Sequence, residues 1–393
     1  MRKIRNIDLN ILFIAIALFL TLSPYFIWRI NSILNPILCV VVGYAFFLNR
    51  GLFLDGVNYK YLVIFFFFII LLYLFTGKTN IFGLIVSLSL LFVPFGNKLF
   101  TKKLTNYFTF IYAIVIGLAS VSWILLLLNI ISPIATIAPL NANDFDYYTV
   151  YPLFMVVSNS NGLFGSLRFS GPFDEAGVIG SVSALLLCVD GFDFKKWKTY
   201  IYLISGFFSL SLFFFIAVFT YGIAHFVIVK RSYLNLIILV GLFVGFYFAT
   251  KDNHVLSHTL WERLEWDSTE GKIAGEDRMT AEADLFYNEK RGSYEYWFGL
   301  KNYDSYWKLA RGGCSYKNVV MKNGMLFFSL YVLMFLIIAW RNKQSIYSFA
   351  LFCFLFLAML YQRPNLFQPA WVFLFSYFAR GNIVKDQIII ENV

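Results

Sequence analysis

Long apolar segments separated by short polar ones repeat along the whole chain. The run YLVIFFFFIILLYLF (Tyr61 to Phe75) is typical, because it carries no charge from end to end. A helix needs about 20 mainly apolar residues to cross a bilayer core of roughly 30 Å. The pattern predicts such helices over residues 9–28, 31–48, 60–76, 80–95, 107–131, 173–190, 198–209, 211–229, 232–250, 318–340, 345–361 and 364–380.

This pattern predicts an all-α polytopic membrane protein with about 12 transmembrane helices. Composition supports the class, since 60% of the residues are hydrophobic and 47 are Phe, too many for a soluble domain to hide. The first apolar run follows MRKIR, and no small-residue cleavage site closes it before Pro24. We therefore expect it to be retained as a signal anchor.

The basic residues predict the orientation of the chain. With the N-terminus inside, the cytoplasmic side receives most Lys and Arg, including those at 98–103 and 195–198, while short outer loops receive only Arg29, Lys78 and Arg363. This asymmetry places both termini in the cytoplasm. The net charge of +10 is explained by these loops, so it does not indicate nucleic-acid binding.

The segment from Thr199 to Val229 is too long for one helix and short for two. The break at SGFFSLSL predicts a short helix, a tight turn and a full helix. A single helix would place Lys230 and Arg231 outside and invert everything after them, which the charge asymmetry disfavours.

Two segments are predicted to lie outside the membrane. The first, residues 132–172, lies between helices of an N-terminal region, residues 1–250, and its aromatic residues favour the membrane interface. The second, residues 251–317, is predicted to form a soluble loop subdomain, because it carries more than half of the chain's 22 acids. Residues 318–393 return the chain to the membrane and end in a cytoplasmic tail.

Metal and nucleotide chemistry find little support. Three cysteines fall in apolar spans, and Cys314 is the one thiol in a polar segment, so neither a disulfide nor a zinc pattern is predicted. His254 and His258 share a helical spacing but lack a third ligand, so interfacial packing is favoured over a metal site. No Walker, GxGxxG or GxSxG motif occurs.

Arg168 is the first candidate functional residue. It is the only basic residue between Lys103 and Lys195, and it lies in the polar stretch SLRFSGPFDEAGVIG. Its planar fork of donors suits a diphosphate or a carboxylate. The alternative is an arginine that snorkels to the interface, although such anchors favour the inner face.

Asp174 and Glu175 open the next predicted helix. Acids in a first turn are favoured by the helix dipole without any chemistry, and Asp174 is interpreted as a cap. Glu175 near an arginine is equally a candidate base or sugar-hydroxyl acceptor.

The loop subdomain holds further candidates. Arg278 lies among Glu276, Asp277 and Glu282, which could simply pair with it. The aromatic run YEYWFGL and its neighbours could stack on sugar rings or could form a small hydrophobic core.

Three motifs carry a resemblance to a known family. LRFSGPFDEAGVIG resembles the R-x-x-G-x-F-x-E/D-x-x-x-x-G signature of Wzy-type O-antigen and exopolysaccharide polymerases, and GFFSLSL is similar to their short serine-rich break. WFGLKNYDSYWKLARGGCSYKNVVMKNGMLFF resembles the segment that precedes one of their late helices. The likeness covers roughly the C-terminal 60% of the chain.

The resemblance implies a GT-C-like membrane glycosyltransferase related to O-antigen ligases, in the bacterial cytoplasmic membrane. Its substrate would be undecaprenyl-diphosphate-linked oligosaccharide, which it would polymerise on the outer face for lipopolysaccharide or another polysaccharide. No metal or other cofactor is implied. The lipid bilayer surrounds it, and a chain-length regulator protein is a further candidate partner.

The resemblance also assigns residues by position. Arg168, Glu175 and Arg278 match the catalytic positions. The candidate substrate-binding residues are Asn302, Arg311, Ser315, Tyr316, Lys317 and Asn318.

Two alternative functions remain open. The ligase branch has a histidine where this chain has Ser315, Tyr316 and Lys317, which disfavours a ligase and leaves the general base unassigned. A flippase for lipid-linked sugar would show more intramembrane charge and repeated halves.

Overall fold

The structure is a computed structural model of the chain. It describes residues 8–49, 56–75, 81–139, 147–159, 168–229, 233–253, 257–267, 272–273, 279–310, 315–343, 345–362 and 368–379. Most of these residues are helical.

The helices are α1 (Leu9–Leu20), α2 (Asn31–Leu48), α3 (Gly56–Phe75), α4 (Ile81–Leu90), α5 (Lys98–Leu127), α6 (Ala176–Asp190), α7 (Trp197–Phe208), α8 (Leu212–Ala224), α9 (Tyr233–Thr250), α10 (Ala281–Lys290), α11 (Tyr294–Phe298), α12 (Tyr303–Ala310), α13 (Tyr316–Asn323), α14 (Met325–Asn342), α15 (Ile346–Gln362) and α16 (Pro369–Ala379). The strands are β1 (Ala135–Ile137), β2 (Tyr148–Tyr151), β3 (Met155–Ser158), β4 (Trp266–Asp267) and β5 (Lys272–Ile273). Short 3-10 or π-helical turns cover Tyr25–Ile30, Val93–Phe95, His225–Val229, Ser257–Trp261 and Glu262–Leu264.

Three helical segments of the described chain are long and apolar enough to cross a membrane: Tyr25–Leu48, Lys98–Leu127 and Met325–Asn342. Several shorter apolar helices accompany them. The prediction of a mainly helical fold is thus confirmed, and the candidate spans are consistent with a membrane protein. The number of crossings, about 12, stays a prediction.

A central helix organises the bundle. Nearly every described side chain of α16 is buried, including Trp371 and Phe373. The ring of Phe373 packs against Phe46 of α2 and Phe108 of α5, with centroids 6.0 and 5.9 Å away. A helix that is apolar on all sides belongs in the interior, and α16 fits that rule.

The helices on one side of the bundle are short. α6, α7 and α8 have 15, 12 and 13 residues. At 1.5 Å per residue α6 and α7 are about 22 and 18 Å long, less than the roughly 30 Å of a hydrocarbon core, whereas α8 continues into the π-helical turn His225–Val229. A break at residues 209–211, here called the serine break, separates α7 from α8, so the predicted short helix and tight turn are confirmed.

Several predicted helix ends were wrong for identifiable reasons. The helix predicted over 9–28 ends at Leu20, shortly before Ser23 adopts a φ of 57° and Pro24 follows. The helix predicted over 318–340 is two helices, because Gly324 has a φ of 89° between α13 and α14. Left-handed backbone cannot continue a right-handed helix.

The segment 132–172 contains a small antiparallel sheet that the sequence did not predict. Its strands lie in the order β1-β2-β3. Alternate residues point to opposite sides, so Met155 and Val157 join the main core, whereas Val150 and Val156 pack with Trp28. The sheet is therefore wedged between the bundle and the Tyr25–Ile30 turn.

The loop subdomain has a hydrophobic core of its own. Helices α10 to α13 contribute to it. Its members are Met279, Ala283, Tyr287, Leu300, Tyr306, Ala310, Val320 and Met321. Tyr316 also contacts Phe328 of α14 and Tyr361 of α15, with ring centroids 6.5 Å apart in each case, which connects this core to the helix bundle.

Candidate functional site

The polar turn, residues 168–175, is attached to three different elements. The Phe169 N–H donates to the Phe208 carbonyl at the end of α7 (3.0 Å), and the Gly171 carbonyl accepts from the Val156 N–H of β3 (2.9 Å). The Pro172 carbonyl accepts from the Tyr25 N–H (2.8 Å). Backbone bonds of this kind fix the position of the main chain.

Arg168 lies half-buried at the start of this turn. Its Nε donates to the Ser209 carbonyl of the serine break at 3.4 Å. Beside it the Phe169 ring packs against Trp123 of α5, with centroids 5.9 Å apart. The prediction singled out Arg168, and the structure places it on the serine break, which the resemblance had treated as a separate motif.

The serine break rests directly on α6 at Gly180. A methyl group added to Gly180 would lie 2.5 Å from Ser209 Oγ and 2.8 Å from Ser211 Oγ, and still closer to Ser211 Cβ. These contacts are far inside ordinary van der Waals distance. Only glycine therefore lets the break approach α6 this closely, and sequence spacing gave no direct sign of that pairing.

Buried hydroxyl groups also connect α5, α6 and α7. The Tyr112 hydroxyl of α5 lies 3.2 Å from Ser183 Oγ of α6, which lies 3.2 Å from Ser205 Oγ of α7. Ser205 in turn donates to the Ile201 carbonyl at 2.6 Å. Hydrogen bonds between apolar helices fix their relative positions.

Glu175 occupies the N-cap position of α6 and is exposed. Its side chain does not cap the helix, and its carbonyl accepts from the Val178 N–H at 3.1 Å. The interpretation of Asp174 as the cap was therefore wrong by one position. Glu175 is an exposed carboxylate on the same turn as Arg168, so it stays a candidate general base.

Two predicted arginines, Arg278 and Arg311, lie outside the described residues. Asn302 is exposed between α11 and α12, where its carbonyl accepts from Ser305 Oγ at 3.2 Å.

The predicted serine and asparagine pair has a structural role at the start of α13. Ser315 is the N-cap of this helix, and its hydroxyl accepts from the Lys317 N–H at 3.3 Å. Asn318 is buried one turn on and donates its N–H to the Ser315 carbonyl at 3.0 Å. The pattern that suggested substrate contacts is thus also a helix-capping pattern.

Lys317 and Tyr316 are engaged within the loop subdomain. Lys317 Nζ lies 3.0 Å from Asp284 Oδ1 and 5.6 Å from the centre of the Tyr287 ring. Tyr316 packs edge-on against Tyr287, with centroids 6.5 Å apart. These residues are anchored in a different hydrophobic cluster from Arg168.

The aromatic residues of YEYWFGL and its neighbours fit two different interpretations, a small hydrophobic core and a surface for stacking on sugar. Tyr306 is 1% exposed and lies in the subdomain core, as the packing interpretation expects. Tyr294 and Trp297 are 59% and 43% exposed, and they remain candidates for stacking on sugar. Burial raises the pKa of the Tyr306 and Tyr287 phenols, so both stay protonated at neutral pH.

No group of three His, Cys, Asp or Glu side chains close enough to hold a metal ion occurs in the described part of the chain. His254 lies outside that part. The chain matches no family model, no curated protein and no solved structure.

Proposed function

We propose that this protein is a membrane polysaccharide polymerase of the Wzy type. It joins undecaprenyl-diphosphate-linked oligosaccharide repeat units on the outer face of the bacterial cytoplasmic membrane. In this proposal it crosses the membrane about 12 times in a GT-C-like arrangement, with both termini in the cytoplasm.

The observation that carries the proposal is the attachment of the polar turn. A basic side chain is held at the ends of apolar helices by backbone bonds to Phe208, Val156 and Tyr25. A charge among apolar membrane helices is costly, so such residues commonly mark functional sites. A lipid diphosphate leaving group carries dense negative charge, and a fixed guanidinium is well suited to stabilise it.

The serine break adds a second favourable element. Helix α8 begins at Leu212, three residues after Ser209, whose carbonyl accepts from Arg168 Nε. Helix N-termini carry a partial positive charge and bind phosphate through backbone N–H groups. The partial charge of this N-terminus would add to the positive potential that Arg168 provides for a diphosphate.

The reaction is a glycosyl transfer between two lipid-linked units. A sugar hydroxyl of the acceptor forms a bond to the anomeric carbon of the donor as the bond from that carbon to the diphosphate oxygen breaks. The hydroxyl proton passes to a base, for which Glu175 is the candidate, and the lipid diphosphate leaves. Exposed Tyr294 and Trp297 would hold saccharide.

The test is gel analysis of surface glycan from a deletion strain. The strain is complemented with wild type, Arg168→Ala, Arg168→Lys or, as a matched control, Arg29→Ala, since Arg29 is an exposed arginine of the Tyr25–Ile30 turn. We expect wild type and the control to restore the glycan ladder. Arg168→Ala should leave only single repeat units, and Arg168→Lys should restore a faint ladder because it keeps charge but loses the fork.

Other outcomes would refute the proposal. An intact ladder in the deletion strain, or a full ladder with Arg168→Ala at equal protein abundance, contradicts it. Loss of all surface glycan on deletion, with repeat units trapped inside, indicates a flippase. Finished polymer that accumulates without attachment to the lipid A core indicates a ligase.

A further inference from the structure

The tip of the β2–β3 hairpin has side chains that its backbone does not favour. Leu153 and Phe154 have φ values of 55° and 66°, and they are 41% and 39% exposed. Left-handed backbone in a turn is favourable for Gly, Asn or Asp and costly for bulky side chains. Two large apolar residues at such a place indicate that the side chains themselves are needed.

The same end of the sheet presents further apolar side chains. The Phe154 ring contacts the Phe26 ring edge-on at 6.1 Å, and Phe26 is 46% exposed. Ile134 is 66% exposed, and its N–H donates to the Val150 carbonyl at 2.8 Å, which places it toward the tip end of the strands. The tip is therefore one part of a larger apolar surface.

This surface continues the exposed stripe of α5. Apolar residues spaced three, four or seven apart along that helix and its C-cap residue are 37–62% exposed: Phe110, Ile114, Leu118, Val121 and Leu128. Helix α5 is one of the three candidate spans, so lipid is the natural neighbour of this stripe. Ile130 (64% exposed) and Ile134 follow directly along the chain and lead the stripe to the hairpin.

We propose that the hairpin tip, formed by Leu153 and Phe154 together with Phe26 and Ile134, is seated in the bilayer, among the acyl chains of the leaflet that the C-terminal end of α5 reaches. The occupant of this surface is lipid hydrocarbon. The exposed apolar area then avoids water, and the cost of the turn is offset by transfer into lipid.

The hairpin tip is connected to the polar turn through strand β3. Val156 lies two residues beyond the tip, donates its N–H to the Gly171 carbonyl, and accepts from Ser170 Oγ at 2.8 Å. A hairpin held at a fixed depth therefore fixes the depth of the turn that begins with Arg168. This consequence rests on the proposed function, in which that depth matches the diphosphate of the lipid carrier. The lipid contact of the hairpin tip does not depend on the proposed function.

The test measures the depth of single fluorophores in the full chain. An environment-sensitive maleimide dye is attached to Leu153→Cys or to Tyr147→Cys, and unsubstituted protein gives the background from native thiols. Tyr147 is 60% exposed and lies at the opposite end of the sheet, about 13–17 Å from the tip at roughly 3.3 Å per residue. The protein is reconstituted in phosphatidylcholine vesicles with and without doxyl-labelled lipid.

We expect doxyl lipid to quench the dye at 153 at least three-fold more than the dye at 147, and aqueous iodide to show the reverse. Equal quenching of both positions by iodide overturns the proposal. A dye at 153 that neither quencher reaches also overturns it, because a protein partner or a second copy would then cover the tip.

A second variant separates a lipid contact from a turn requirement. Leu153→Asn with Phe154→Gly suits the left-handed backbone better and removes the apolar groups. With the dye moved to Ile134→Cys, we expect doxyl quenching to fall at least two-fold in this variant. Unchanged quenching at 134 would show that the tip does not hold the hairpin in lipid. None of these readouts needs polymerase activity, so a failure here is distinguishable from a failure of the proposed function.

Discussion

The contact between Gly180 and the serine break yields a quantitative prediction. In Gly180→Ala the new methyl group would lie 2.5 Å from Ser209 Oγ and closer still to Ser211 Cβ. Carbon atoms prefer separations of about 3.5–4.0 Å, so the break must move by more than about 1 Å. Overpacking of this kind costs about 1–3 kcal/mol of folding free energy.

The displacement should also act on the polar turn. The bonds from Phe169 N–H to the Phe208 carbonyl and from Arg168 Nε to the Ser209 carbonyl are 3.0 and 3.4 Å long. A shift of this size along either bond takes that bond beyond hydrogen-bonding distance. We therefore expect Gly180→Ala to lower both the melting temperature and any activity that depends on Arg168.

A suppressor variant tests the cause. Ser211→Gly removes the Cβ that Gly180→Ala would strike. The Ser211 side chain makes no capping hydrogen bond to α8, so the single change should cost only about a few tenths of a kcal/mol. The double variant should recover at least half of the lost stability. That corresponds to a favourable coupling energy of about 0.5–1.5 kcal/mol in a double-mutant cycle.

The assay is thermal unfolding in detergent by intrinsic fluorescence, with Gly245→Ala as control. Gly245 lies in α9, and a methyl group there would meet nothing within 4 Å, so this change should leave stability equal or slightly higher. The reasoning fails if Gly180→Ala unfolds at the control's temperature, or if the effects of Gly180→Ala and Ser211→Gly simply add.

Two further predictions concern the loop subdomain. Gly324→Ala should abolish a stable junction between α13 and α14, because φ is 89° and the new methyl would lie 2.6 Å from the Phe298 carbonyl carbon. The control Gly292→Ala, with a φ of 85° and open space around it, should cost only about 1–2 kcal/mol. Protease resistance of the subdomain measures both effects. Lys317→Met should destabilise the subdomain by about 1–2 kcal/mol, since the ion pair of Lys317 with Asp284 is mostly shielded from solvent. Lys290→Met should cost under about 1 kcal/mol, because the ion pair of Lys290 with Glu295 has the same 3.0 Å length but is more exposed. Equal unfolding temperatures of the two variants would contradict this difference.

The helices could be predicted where an apolar run decides the structure alone. The break between α7 and α8 was predicted because SGFFSLSL interrupts a segment too long for one helix, and the structure places it at Ser209 to Ser211. The end of α1 was missed because apolar residues continue beyond Leu20, whereas the backbone changes at Ser23 and Pro24. Hydrophobicity alone does not report such a change of backbone.

The sheet was missed for a different reason. Strands of three or four residues are too short to show a two-residue period, and the turn residues Leu153 and Phe154 are not typical of a hairpin. What stabilises the strands is their setting, since Val150 and Val156 meet Trp28, which is far away in sequence. The only local sign was the run of β-branched residues around the turn.

The candidate site was predicted in part. Arg168 could be singled out because it is the only basic residue between Lys103 and Lys195, but its contact with Ser209, 41 residues away, could not. Lys317 shows the opposite case. Its position in a motif suggested substrate, whereas the structure pairs it with Asp284, 33 residues earlier. Which charge finds a protein partner depends on packing that spacing does not specify.

The attachments of the polar turn have a common mechanical consequence. The turn is bonded to α7 through Phe208, to the hairpin through Val156 and to the N-terminal segment through Tyr25, so no single element determines where Arg168 lies. Catalytic charges must be held within fractions of an ångström, and a turn alone is too flexible for that. Three attachments from separate parts of the chain provide the rigidity, because moving Arg168 then requires moving a helix end and a strand together. In the proposed site, two contacts then have different roles. Contact of the serine break with α6 sets the position of Arg168 within the bundle, and contact of the hairpin with lipid sets the depth of Arg168 in the membrane.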